Sequence, residues 1–306
     1  MKMIKPSVEI ITEPDLYKRI EIAARTCYKS EDKITDDSAK KMVKALIRRG
    51  HESPLEHSSI SIICFDKTYA YVCMLLAKYE AAMRIPHFIK VTIDIDRPIF
   101  TGNVRAWRSL CRFHGNDPLL TYVFYCHYPE LFSDVFDAPI IAGLEETYRD
   151  KAAVVANTGH NDHDTIVTAR FACDRGVSHE LVRHRLLAIS QESTRYCNYG
   201  NGVTFIEPWW WPEQETSDTQ FIRASCQAAE DAYTSLIASG ASPQKARAVL
   251  PNMLKTEVVA TGTVEYWRKY ILPLRLSKAA HPDIRRVMEM FCHEMNWDPD
   301  EFRKGE

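Results

Sequence analysis

Arg183-His-Arg-Leu-Leu-Ala-Ile-Ser-Gln-Glu-Ser-Thr-Arg-Tyr196 is the stretch on which the reading of this chain turns. Three arginines and a histidine bracket a short apolar run, Leu186 to Ile189, and neutral donors follow at Ser190, Gln191, Ser193 and Thr194. Arginine suits phosphate, because its planar fork donates two parallel hydrogen bonds and never loses its charge. Amides and hydroxyls read the edge of a base. Together they describe a nucleotide site better than a solvated charged face. Ser178, with Glu180 close behind, predicts a capped helix carrying Glu180, Arg183, His184 and Arg185, with Arg183 and Arg185 turned toward different neighbours.

The totals set the frame. A chain of 306 residues can form one large domain or two ordinary ones. Hydrophobic residues at 45% and charged residues at 26% describe a globular protein. A formal net charge of −2 provides no basic field for nucleic acid, so any bound anion must be held by local arginines. The nine cysteines include no CxxC pair, and an odd count argues for buried thiols in a reducing cytoplasm. No apolar run suits a signal peptide or a membrane span, so a soluble, cytoplasmic protein is expected.

Patterning predicts strands over Val8–Ile11, Ser58–Phe65, Ile89–Ile99 and Thr165–Cys173. Helices are predicted over Leu16–Cys27, from Ser38 to near Gly50, and over Tyr69–Tyr79, Val104–Phe113 and Phe221–Ile237. Three more are predicted after Ser242-Pro243 and over Lys255–Ile271 and Pro282–Met295. Gly115 to His163 reads as an excursion with little regular structure until a helix near Leu144. His160 and His163 have a ligating spacing but sit in a polar loop without a paired partner, so no metal is expected. No GxSxG elbow surrounds Ser193. One echo stands out: Thr101-Gly-Asn-Val-Arg-Ala-Trp-Arg108 matches Thr261-Gly-Thr-Val-Glu-Tyr-Trp-Arg268 at five of eight positions.

Arg183-His184-Arg185, seven residues and then Ser193 resemble the RHR-x7-S signature of flavin-dependent thymidylate synthases. Gly50-His-Glu-Ser-Pro-Leu-Glu-His57, Lys245-Ala-Arg-Ala-Val-Leu-Pro251, Leu274-Arg275 and Ala280-His-Pro-Asp-Ile-Arg285 resemble further motifs of that family, in order. The resemblance implies an α+β fold, a small mixed or antiparallel sheet packed with long helices. It implies one domain over 1–306, interrupted by an insertion at about 66–164. The implied reaction is reductive methylation of dUMP to dTMP, with methylenetetrahydrofolate as carbon donor, FAD as redox carrier and NADPH as reductant, in a homotetramer.

By resemblance, Glu180, Arg183, Gln191, Glu192, Ser193, Thr194, Arg195, Arg247 and Arg275 would hold dUMP, Arg195 on the phosphate. Arg275 would stabilise negative charge at the uracil N3/O2 edge, and Ser193 would position the ring. His51, Ser53, Glu56, Arg183, His184, Arg185 and Gln191 would meet FAD. The chain departs from the family where Thr263, Glu265 and Lys269 replace residues that contact the cofactor, and one extra residue falls near Pro273. An acid at 265 repels a pyrophosphate. Thr263 and Lys269 therefore compete as cofactor contacts with Asn103 and Arg105 of the echo. Two rival functions stand beside this one: methylation of another pyrimidine nucleotide, and a nucleic-acid-binding regulator built on the RHR helix.

Overall fold

The computed structural model describes residues 1–83, 89–93, 98–136, 143–155, 162 and 165–303. His160 and His163 lie outside the described residues. Among those described, the strands are β1 (Lys2–Ile4), β2 (Ser7–Ile10), β3 (Ser59–Cys64), β4 (Ile89–Ile93), β5 (Pro98–Asn103), β6 (Ala152–Val155), β7 (Ile166–Asp174), β8 (Ala188–Gln191), β9 (Thr204–Ile206) and β10 (Lys255–Thr263). They form two four-stranded sheets, β2-β7-β10-β8 and β4-β5-β3-β6, and a two-stranded parallel pair, β1-β9. With the helices this is an α+β fold. The chain divides into two compact units, Met1–Thr12, Ala23–Asp32 and Val167–Glu306 in the first, Glu13–Ile22 and Lys33–Ile166 in the second.

The first unit is built on β7 and β10. Along β7 the alternate residues Val167, Ala169, Phe171 and Cys173 turn into the core, as a pleated strand requires. They meet the stripe Ile284, Val287, Met288 and Phe291 of helix Pro282–Glu294. Lys255 to Thr263, expected as helix, is strand β10. Its β-branched Thr256, Val258, Val259 and Thr261 suit a pleat, and helix begins only at Val264, capped by the Thr263 side chain. The helix widens into a π turn over Trp267–Ile271, where the Leu272 N–H reaches back to the Trp267 carbonyl. A π turn absorbs one residue more than an α turn. It runs directly into the segment Leu272–Arg275, which carries Arg275. Trp267 itself is fully buried, with its ring 4.5 Å from Phe291 and 6.1 Å from Phe171.

In the second unit, helix α1 (Leu16–Tyr28) begins and helix α2 (Ser38–Arg48) follows. Ser38, expected to cap α2, instead donates to Glu21 and accepts the Thr35 amide; Asp37 holds the cap position. The helix stops because Gly50 adopts a left-handed φ of 70°. There Gly50 N–H meets the Ile47 carbonyl and His51 N–H the Leu46 carbonyl, both at 2.9 Å. Helices α3 (Thr68–Met83) and α4 (Val104–His114) flank the sheet. The excursion after Gly115 is more regular than expected. Short helical turns at Pro118–Leu120, Thr121–Tyr125 and Pro129–Phe132 bury Leu119, Leu120, Val123, Phe124, Leu131 and Phe132 before the expected helix at Leu144–Tyr148. Arg108 is fully buried there, its charge met by Glu52 and Asp134 and its guanidinium also bonded to the Leu131 carbonyl.

All nine cysteines are free thiols. Six are buried, and burial pushes Cys64 and Cys292 up to about 12 and Cys197 to about 11. Among the described residues no helix is long and apolar enough to cross a membrane, and no cluster of three or more His, Cys, Asp or Glu could hold a metal.

Candidate active site

The segment after β7 holds the candidate residues, but not on the helix expected from Ser178. That helix runs from Arg175 to Leu181 and is capped by Asp174, whose carboxylate accepts the Val177 N–H at 2.8 Å. A carboxylate at the end of a strand is as good a cap as serine, and it starts the helix a turn earlier. Ser178 is inside the helix and bonds the Arg175 carbonyl. Arg183, His184 and Arg185 therefore lie beyond its end, in a turn between the helix and β8. Arg183 and Arg185 are exposed, and His184 between them is buried. Leu187 is buried too; it packs against Gly262, where a Cβ would stand 2.6 Å from a Leu187 methyl. A side chain at 262 would displace the turn.

Glu180, His184 and Arg275 come together, though Arg275 is remote in sequence. Arg275 donates through Nη1 to the Glu180 carboxylate, through Nη2 to the Glu180 carbonyl at 2.9 Å, and through Nε to His184 Nε2 at 2.9 Å. Burial, with the Arg275 charge adding to it, pushes His184 down to about 4. The imidazole is therefore neutral at pH 7, with Nε2 as acceptor and the proton on Nδ1. Burial also draws the Arg275 guanidinium below its ordinary value, against the pull of Glu180.

Gln191 ends β8 with its amide donating to Ser178 Oγ at 2.9 Å and Thr256 Oγ1 at 3.2 Å, so its carbonyl oxygen and orientation are fixed. In the next loop Ser193 Oγ accepts the Arg195 amide, Arg195 Nε donates to Gln244, and Arg247 reaches Thr194 Oγ1 at 3.3 Å. The loop thus gathers Thr194, Arg195 and Arg247, with both arginines exposed. Glu192 behaves differently. Its side chain is 1% exposed and bonded to Tyr199 Oη at 2.7 Å, Lys255 Nζ at 3.1 Å and the Glu257 amide at 3.2 Å. Lys255 also pairs with Glu257, and Lys29 closes the group at 2.9 Å from Glu257. Burial raises the Glu257 carboxyl, but hydrogen bonds from Lys255 and Lys29 outweigh it and hold the group below its ordinary range. Lys255 and Glu257 were missed in the sequence. On a strand, residues two apart share a face, and the signal was hidden by reading the segment as helix.

In the second unit His51 and Ser53 are exposed at the start of the 3₁₀ turn Ser53–His57, with Glu56 half-buried on it. Arg105, at the start of α4, pairs with Glu56. Asn103 caps α4, its side chain accepting the Ala106 N–H at 2.8 Å. At the matching place in the first unit, Thr263 is a cap and Lys269 pairs with Glu265 at 2.9 Å. His57 is fully buried, and burial with the nearby Arg19 charge pushes it down to about 3.

These two histidines set an expected acid sensitivity. Both are depressed below the ordinary 6.5, so the unfolded chain binds protons that the folded chain refuses. Their stabilising effect is complete above pH 6.5 and is lost as pH falls toward about 4 for His184 and about 3 for His57. Each unit of depression is worth about 1.4 kcal/mol. The thermal midpoint should be lower at pH 5 than at pH 7.5; equal midpoints would show that these imidazoles are not sealed from water.

The sequence model of the family described as "Thymidylate synthase complementing protein" matches residues 9–66 and 143–299. Among similar proteins, a "Flavin-dependent thymidylate synthase" of Mycobacterium avium (strain 104) is 33% identical over 128 residues, which is 37% of this chain and 50% of the relative. One of Geobacter sulfurreducens is 31% identical over 115 residues, 37% of this chain and 49% of the relative. The chain spans about half the length of the curated relatives it matches. Among solved structures, a UMP/dUMP methylase PolB from Streptomyces cacaoi, bound with 5-Br UMP, aligns over 96% of this chain and 91% of that one at 14% identity and a TM-score of 0.41.

Proposed function

The chain belongs to the thymidylate synthase complementing protein family, and on that premise we propose that it converts dUMP to dTMP by reductive methylation. The carbon would come from methylenetetrahydrofolate and the reducing equivalents from NADPH. The observation that carries the reading is the Glu180–His184–Arg275 group, half-buried around a buried imidazole, at a turn with two exposed arginines. A permanently charged guanidinium stabilises negative charge on a uracil ring, which readies its C5–C6 bond for attack. Glu180 and the neutral His184 aim that guanidinium and leave it one fixed direction. Gln191, locked by Ser178 and Thr256, supplies an oriented amide to a base edge. Arg195 and Arg247, with Thr194, form the anion-holding edge for the nucleotide phosphate, and Arg183 adds a further cation. Ser193 Oγ, accepting the Arg195 amide, is free to donate and positions the ring. Glu192 acts through the loop it anchors: its carboxylate is spent inside the fold.

The donor set of the second unit fits a phosphate- and amide-bearing cofactor, since it combines the Arg105 cation, the exposed Ser53 hydroxyl and the exposed His51 imidazole. FAD, when bound, would carry reducing equivalents between NADPH and the nucleotide. Within this unit His51, Ser53 and Glu56 are the residues proposed to meet it. Exposed Val182, Leu186, Tyr270 and Leu274 on the first unit offer apolar surface for self-association, and the homotetramer itself is what the family resemblance implies.

The test is formation of dTMP from dUMP in a mixture containing FAD, NADPH and methylenetetrahydrofolate, read by chromatography with each component omitted in turn. Product that depends on all of them is expected. A chain that binds added flavin yet leaves dUMP unchanged over hours would overturn the reading.

A further inference from the structure

The echo between residues 101–108 and 261–268 extends far beyond eight residues. In the sheet of the second unit the order is β6-β3-β5-β4, and in the first it is β2-β7-β10-β8. From the second-place strand onward each unit runs in the same order, although the first-place strand comes first in one unit (β2) and last in the other (β6), and β9 and helix Ser217–Ala238 intervene between β8 and β10. A second-place strand (β3 or β7) leads to a helix (α3 or Arg175–Leu181), then to the edge strand in fourth place (β4 or β8). The strand in third place (β5 or β10) follows, and then a helix. The corresponding pairs β3–β6 and β7–β2, and β5–β4 and β10–β8, are all antiparallel.

Side chains repeat at matching places. Thr101 shares a hydroxyl pair with Ser61 of β3 at 2.8 Å, and Thr261 shares one with Thr168 of β7 at 2.9 Å. Asn103 and Thr263 hold nearly the same backbone conformation, φ −69° and ψ 156° against φ −72° and ψ 150°, and each caps the helix that follows. Trp107 and Trp267 are both fully buried. A common path through the sheet, a common cap and a common buried indole would not all arise from a surface elaboration.

We propose that the segment from β3 to β6, most of it the insertion, is a second, diverged copy of the sheet of the first unit, and that its turn, Asn103-Val-Arg105, carries the groups that hold the phosphates of the flavin cofactor. This rests on the flavin reading above. The two turns differ where charge matters. The first unit places Glu265, paired with Lys269, at the position of Arg105. That carboxylate, at the very position of the cation, would repel a pyrophosphate. In the second unit the same position is a half-exposed arginine, and its partner is Glu56 of the Gly50–His57 motif, which the family resemblance gives to the flavin. One copy kept the nucleotide cradle; the other kept the cation.

Two substitutions and a control decide it, read as flavin affinity by absorbance titration of the purified full chain, without turnover. Arg105→Ala is expected to weaken FAD binding by roughly tenfold or more, the scale of a lost charge-assisted bond. Asn103→Thr borrows the residue that caps the other copy. It should therefore leave the thermal midpoint unchanged while weakening FAD binding, because the cap survives and the amide does not. Lys269→Ala is expected to leave affinity within about twofold, because Lys269 is an exposed side chain in an i,i+4 pair with Glu265. Unchanged affinity in Arg105→Ala, or a loss in Lys269→Ala equal to that in Arg105→Ala, overturns the assignment. A wild-type chain that takes up no flavin overturns the function itself, and does so before any variant is compared.

Discussion

Arg275→Ala is expected to lose about 3 kcal/mol of stability, the low end of the cost of breaking a buried ion pair, because Glu180 keeps some access to water. For a chain of this size that is a fall of about 5–10 °C in the thermal midpoint. The change leaves a carboxylate without its cation and His184 Nε2 without its donor. Turnover of dUMP should fall by about 10²–10³-fold, the scale of a removed group that stabilises developing negative charge. Arg275→Lys separates the two effects. One ammonium can meet the Glu180 carboxylate but cannot also reach its carbonyl and His184, so stability should recover in part while turnover stays low. Full turnover in the lysine variant would show that charge alone suffices and that the three-way aim of the guanidinium is irrelevant.

Lys255→Met is the second large effect, expected at about 3–5 kcal/mol. It leaves Glu192 and Glu257 facing each other with only Lys29 nearby, in a site where Glu192 is 1% exposed. The pH dependence gives this variant a signature opposite to that of the wild type. With Lys255 gone, Lys29 opposes burial without its help, and the Glu257 carboxyl is expected to rise from its depressed position. A raised carboxyl gains a proton more readily in the folded state, so the penalty should shrink as pH falls from 7 to 5. Over the same interval the wild type should weaken, through His57 and His184. Denaturant midpoints of both proteins at the two pH values measure this crossing. Parallel shifts would mean that Lys255 is not the counter-charge of this pair.

What could be read in the sequence follows from how locally each feature is encoded. The Gly50–His57 motif, α2 and the stripe of Pro282–Glu294 depend on neighbours within a turn or two, and each was visible. The Arg183–Arg185 turn was misread because two caps compete: Ser178 looked like a start, but Asp174, at the end of β7, captures the Val177 amide first. Strand β10 was read as helix because Lys255 to Ile271 spans a strand and a helix without a break in hydrophobicity, and only Gly262 and Thr263 mark the joint. Of the candidate site, the loop residues could be named from their types alone. The link from Glu180 to Arg275 could not, since only the sheet and the π turn bring them together. The buried Lys255–Glu192 contact was hidden for the same reason: it is made across neighbouring strands, and no spacing along the chain announces it.

Trp107 and Trp267 have one more consequence, an optical one. Each unit seals one indole fully in its core, Trp107 donating to the Ile60 carbonyl at 2.9 Å and Trp267 wedged among rings, while Trp211 and Trp297 are half-buried and Trp209 and Trp210 lie at the surface. The bluest part of the native emission therefore belongs to the two cores, and silencing Trp107 removes the sealed reporter of the second unit alone. The chain carries a separate fluorescent gauge in each half, so the melting of each unit can be followed without any added label.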